Sequence, residues 1–180
     1  MTGSFRGIYW TDEGGGGCVG RFQREIMIAA SPEAVFGYLA EPERIADWTP
    51  GVVSVRRTTP GPIEAGSATE TVVDVFGTRQ TLLGRCVGFE PSRWLAVENR
   101  TVGGIKIGAV TLGGISTVSM SELIPEGTGT RLRATLEYTL DVVAFLRGMA
   151  EAVAGPRMQA DFELSLRNLQ RVFEQRPSAG

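Results

Sequence analysis

Thr130-Arg131-Leu132-Arg133-Ala134-Thr135-Leu136-Glu137-Tyr138-Thr139-Leu140-Asp141-Val142 is the stretch that decides the fold. Leu132, Ala134, Leu136, Tyr138 and Leu140 share one face by a period of two, while Arg131, Arg133, Glu137 and Thr139 share the other. Such alternation describes a strand with one buried face. Residues 144–176 follow it with helical composition. Met158, Phe162, Leu166, Leu169 and Phe173 recur there at spacings of four, four, three and four, which makes one apolar helix face. Arg157, Glu163, Arg167, Gln170 and Arg171 fall mostly elsewhere. The apolar strand face and the apolar helix face must cover each other. Gly155-Pro156 interrupts the pattern, so the helix is predicted to kink or restart there.

Upstream lie five more strand-like runs at 52–58, 67–76, 80–89, 94–102 and 113–124. Turn signals split them: Pro60-Gly61-Pro62, Gly77-Thr78, Glu90-Pro91-Ser92, Gly103-Gly104 and Pro125-Glu126-Gly127. Connections this short argue for antiparallel hairpins. Residues 106–112 read either as part of a strand or as a loop at a cavity mouth. Arg21 to Ala29 also alternates, with Phe22, Arg24, Ile26 and Ile28 on one face and Ile26 and Ile28 the expected buried pair. Ser31-Pro32-Glu33 is a helix start, with serine as cap, proline in the first turn and an acid at the positive dipole end. Val35, Phe36 and Leu39 form its buried stripe. A second short helix begins at Glu41-Pro42, carries Ile45 and Trp48, and ends at Thr49-Pro50-Gly51. The order of one strand, two short helices, a run of strands and a closing helix describes an α+β domain. A curved antiparallel sheet grips a helix around a cavity.

Composition narrows the chemistry. The chain has 180 residues, 42% hydrophobic and 21% charged, enough for one domain with a real core. Its net charge of −2 and lack of a basic block argue against nucleic acid as a partner. No apolar stretch is long enough to span a bilayer, and no secretory signal opens the chain, so a cytoplasmic location is expected. Histidine is absent. That removes Ser-His-Asp and Cys-His chemistry within this chain, together with the commonest metal ligand. Cys18 and Cys86 have no CxxC spacing, so no metal is expected, and nothing calls for a cofactor. Lys106, the sole lysine, reads as a strand-edge charge rather than a Schiff-base former. Residues 1–20 stand apart as an extension, 21–176 as the domain and 177–180 as a tail. Gly14 to Gly17 form a joint rather than a phosphate loop, since no GxxxxGK[ST] follows. Phe5, Ile8, Tyr9 and Trp10 ahead of it make either a plain tail or an aromatic flap over a cavity mouth.

Alternation also nominates the lining. Thr69, Thr71 and Val73 are the inward set of one strand. Leu95, Val97, Asn99 and Thr101 are that of another, and Ser119, Ser121 and Leu123 of a third. With Leu136, Met158 and Phe162 they describe a mostly apolar wall bearing a few hydroxyls, an amide and a phenol. Such a wall suits a ligand with an apolar body and scattered oxygens. Tyr138 is the leading catalytic candidate, because a phenol can donate to a carbonyl and steady an enolate; Asn99 is the second. Trp48 is placed to stack on a ligand or simply to pack. Glu70, Asp74, Glu98 and Glu122 fall on outward faces, so paired acid–base catalysis is not supported.

At Ile26 to Phe36, Trp48 to Val55, Gly88 to Leu95 and Asp161 to Glu174 the chain resembles the START/Bet v 1-like (SRPBCC) superfamily, in its polyketide cyclase/dehydrase branch. The matching pieces are the strand running into Ser31-Pro32-Glu33, the Trp48-Thr49-Pro50-Gly51 strand entry, the Glu90-Pro91 turn and the closing helix around Leu166-Arg167-Asn168-Leu169. The resemblance implies a helix-grip fold with seven antiparallel strands around the C-terminal helix. It implies a cavity for lipids, sterols, polyketides or hormones. Some members cyclise or dehydrate a polyketide; others carry or sense a ligand without changing it. Both readings stay open, as does the choice between monomer and homodimer.

Overall fold

The computed structural model describes residues 18–75, 77–104, 106–107, 110–111, 113–142 and 147–175. The expected aromatic flap and glycine joint lie outside the described residues. Strand β1 runs Cys18–Ile28, three residues earlier than alternation predicted. Helix α1 (Pro32–Leu39) starts as expected. Ser31 is extended, and its hydroxyl accepts from Ala34 N–H at 3.4 Å. Val35 and Leu39 are buried, Phe36 packs against the core, and Tyr38 joins them with its hydroxyl donating to Asp47 at 3.1 Å. A 3-10 turn (Pro42–Arg44) leads into the one-turn α2 (Ile45–Trp48). Gly51 then adopts φ +77°, a conformation that suits glycine, and turns the chain into β2 (Val52–Arg57).

The remaining strands are β3 (Ala68–Val75), β4 (Thr78–Glu90), β5 (Trp94–Thr101), β8 (Gly114–Glu126) and β9 (Gly129–Asp141). The ambiguous 106–112 stretch contains a two-residue pair, β6 (Lys106–Ile107) with β7 (Val110–Thr111). The large sheet has seven strands in the order β1-β9-β8-β5-β4-β3-β2, with every pairing antiparallel. Bulges in β2 between Val52 and Ser54, and in β4 between Cys86 and Gly88, add the bends a sheet needs to curve.

Helix α3 (Arg147–Glu174) lies in the concave face. It runs continuously through Pro156, so the predicted restart does not occur. A proline inside a helix removes one backbone hydrogen bond, but the turns on either side keep theirs, so the helix continues across it. Leu166, Leu169 and Phe173 are buried with Ile28, Val35, Leu123 and Leu132 in the main core. Each such aliphatic side chain contributes about 1.5–3 kcal/mol on burial. A second cluster sits nearer the helix start, where Tyr138 and Leu140 meet Phe22, Ala154 and Met158. Asn168 Nδ2 donates to Trp48 C=O at 3.2 Å and ties α3 to α2. Thr130 is fully buried and donates to Ala30 C=O at 2.7 Å, which anchors the β1–α1 link. Arginines and glutamates cover the outer face, as in Arg133 with Glu25 at 2.7 Å. Exposed pairs of this kind add little stability.

Candidate functional site: a cavity under the closing helix

Between α3 and the concave sheet lies a cavity of about 350 Å³. Its cause is side-chain size. Thr69, Thr71, Thr117, Ser119, Ser121 and Ala134 all sit on the inner face, and they are too small to meet the helix. Met158, Phe162, Leu166 and Leu169 form the helical wall. Leu39 of α1, with Pro42, Ile45 and Trp48 from the 3-10 turn and α2 that pack on β2, closes one end. The walls are predominantly apolar, as in small-molecule sites generally.

One cross-strand row carries four of the polar lining groups, Arg57, Thr69, Asn99 and Thr117. Register pairs Arg57 with Thr69, Thr69 with Gly84, Gly84 with Asn99, and Asn99 with Thr117. It continues from Thr117 to Tyr138 and from Tyr138 to Gly20. Gly84 has no side chain, and its neighbours use the gap: a Cβ there would lie 2.2 Å from Thr69 Oγ1 and 2.7 Å from Asn99 Oδ1. These two oxygens therefore converge over β4.

Of the residues nominated from sequence, Asn99, Trp48, Thr69, Thr71, Ser119, Ser121, Leu136, Met158 and Phe162 line the cavity. Tyr138, Thr101 and Leu123 do not, and Leu123 is buried in the main core instead. Tyr138 shares the inward face of β9, but at its row the sheet edge is covered by α3. Its ring lies over Gly20, stacks on Phe22 at 5.5 Å, and sits close under Gly155. The absent side chain at Gly20 makes that position open to the ring. Thr101 faces the same way but is spent on structure: its hydroxyl accepts from Ile115 N–H at 3.0 Å. Ser119 is partly committed as well, donating to Val97 C=O at 3.3 Å.

Seven polar lining residues escaped the sequence reading: Thr49, Arg57, Ser67, Thr117, Thr135, Asp161 and Ser165. Arg57 is in phase with buried Val55, which was the available signal, but the β2 bulge blurred the alternation. Asp161 accepts from Arg157 Nε at 2.8 Å across one helical turn. Cys86 also lines the cavity. Burial pushes its thiol above the ordinary range, only partly offset by its contact with Gly88 C=O, so it is a neutral wall group at neutral pH.

A curved seven-stranded sheet and a long gripping helix, with a mostly apolar cavity between them, define a helix-grip domain. The chain belongs to the polyketide cyclase / dehydrase and lipid transport family, whose model matches residues 20–174. Among solved structures it is similar to an uncharacterised protein from Rhizobium leguminosarum. That match has 16% identity, covers 89% of this chain and 97% of that one, and has a TM-score of 0.66. It is also similar to the Zhui aromatase/cyclase from Streptomyces sp. R1128, at 21% identity, 91% and 99% coverage and a TM-score of 0.61. The di-domain aromatase/cyclase StfQ of the steffimycin biosynthetic pathway matches at 15% identity and a TM-score of 0.60, over 87% of this chain and 52% of that one. At these identities the likeness is one of fold. No curated protein matches the chain. Among the described residues, no helix is long and apolar enough to cross a membrane.

Proposed function

We propose that the protein binds a hydrophobic, polyketide-like small molecule in the cavity and promotes its cyclisation or dehydration. The observation that carries this reading is the alignment of Thr69, Asn99 and Thr117 on one row of a mostly apolar wall. A pure carrier needs no such alignment. Asn99 presents an amide that can donate to a substrate carbonyl as negative charge develops on it. Confinement supplies the rest by holding reacting carbons together. The family and its aromatase/cyclase neighbours support the same direction.

The second reading is a non-catalytic carrier. It draws support from Tyr138, whose phenol packs under α3 rather than in the cavity. Native mass spectrometry of the purified protein, followed by incubation of the extracted ligand with fresh protein, separates the two. A ligand that loses water, or rearranges at constant mass with an altered spectrum, supports the enzyme, provided Asn99→Leu still binds it and leaves it unchanged. A ligand returned intact supports the carrier. Ser121→Trp should fill the cavity and abolish binding of the neutral probe N-phenyl-1-naphthylamine while the fold stays intact. Full probe affinity in that variant would remove the basis of both readings.

A further inference from the structure

We propose that Arg57 and Thr49 form an oxyanion-binding end of the cavity, so that the ligand is an apolar molecule with a carboxylate or comparable anionic oxygen group at one end. This rests on the reading of the cavity as a ligand site.

Arg57 is the one cationic side chain among the described lining residues. It closes the polar row at the β2 edge, opposite Thr69. Two of its nitrogens are occupied near the rim: Nη1 donates to Gly61 C=O, and Nη2 to Glu43 Oε2 at 3.2 Å. Its Nε–H is buried and has no hydrogen-bond partner. Thr49 Oγ1, from the cap of α2, is a second lining atom buried without a partner. A buried, unsatisfied polar group carries a full desolvation penalty, more so on a charged side chain. Both orphans belong to residues of the cavity wall, where oxygens of a bound ligand can accept from the guanidinium and the hydroxyl.

The charge balance points the same way. Glu43 is the ion-pair partner of Arg57, and its side chain is 50% exposed, so water screens much of its charge. Arg57 is only 24% exposed and lies against apolar walls, where a cation attracts an anion more strongly than it would in water. Asp161, the lining acid, is paired with Arg157 on its own helix and does not neutralise Arg57.

Two matched fluorescent probes test this on the full chain. 8-Anilino-1-naphthalenesulfonate and N-phenyl-1-naphthylamine share an aromatic body and differ by the sulfonate. The wild type should bind the sulfonate roughly tenfold tighter, the scale of one hydrogen bond to a charged group. Arg57→Gln should erase that preference while leaving the neutral probe within about twofold, and Thr49→Val should reduce it. Arg56→Gln, at a neighbouring position 68% exposed and paired with Glu70, controls for net charge and should change neither probe. Neutral-probe binding without any sulfonate preference in the wild type overturns the anionic end and leaves the cavity reading standing. A preference lost equally in Arg56→Gln also overturns it. Binding of neither probe overturns both. If Arg57→Gln fails to fold, the wild-type preference and the Thr49→Val result decide.

Discussion

Gly84 and Asn99 stand opposite each other on β4 and β5, and a Cβ on Gly84 would lie 2.7 Å from Asn99 Oδ1. The same Cβ would lie 2.2 Å from Thr69 Oγ1 on the other side. The glycine is therefore what lets two polar side chains converge over the cavity floor. Gly84→Ala should force both aside and destabilise the fold by about 1–3 kcal/mol, the usual cost of overpacking. Urea unfolding reads the difference; an unchanged midpoint would mean the two side chains are free to swing away.

Leu166 is 3% exposed and packs against the sheet from the middle of the helical wall. Leu166→Ala should cost about 2–5 kcal/mol. Because Leu166 also lines the cavity, some of the created space joins it, and neutral-probe affinity should shift too. A melting temperature equal to that of the wild type would contradict the grip of α3 on the sheet.

Glu163 Oε1 accepts from Gln159 Nε2 at 3.2 Å and from Arg24 Nη2 at 2.7 Å, which bridges α3 to β1. The Gln159 amide first, and the Arg24 guanidinium next, hold its carboxyl below the usual range. The folded chain thus binds this proton less readily than the unfolded one. Its stabilisation is fully present above the unfolded carboxyl value of about 4.3 and is lost as pH falls through the lower folded value. The melting-temperature gap between wild type and Glu163→Gln should be constant above pH ~5 and shrink below pH ~4. A gap that persists unchanged on acidification would contradict this.

Cys86 should react slowly with iodoacetamide at neutral pH, since burial keeps it protonated. Its pH–rate profile, followed on its own peptide by mass spectrometry, should inflect above the ordinary thiol value of about 8.5. Saturating N-phenyl-1-naphthylamine should slow it further, because the thiol borders the cavity. An inflection at or below the ordinary value would place the thiol in a more polar setting than its wall position provides.

Local patterns in the chain were enough to determine the elements and their buried faces. The alternation from Leu132 to Leu140, the Ser31 cap and the Met158-to-Phe173 stripe each report short-range physics: pleat period, an orphan N–H, helical pitch. Together they determined the sheet, the gripping helix and most of the cavity wall. Which rungs of the sheet border open space was decided only in three dimensions. Tyr138 and Leu136 lie on one face of one strand, yet α3 covers the first while the second borders the cavity. Arg57 and Asn99 are 42 residues apart and meet on one row only because four strands pair in that register. Likewise, Pro156 predicts a break from its missing N–H alone, whereas the turns on either side keep their hydrogen bonds and the helix continues across it. Periodicity tells a side chain which way to face; only the assembled neighbours determine whether it meets a helix, a hydroxyl or a cavity.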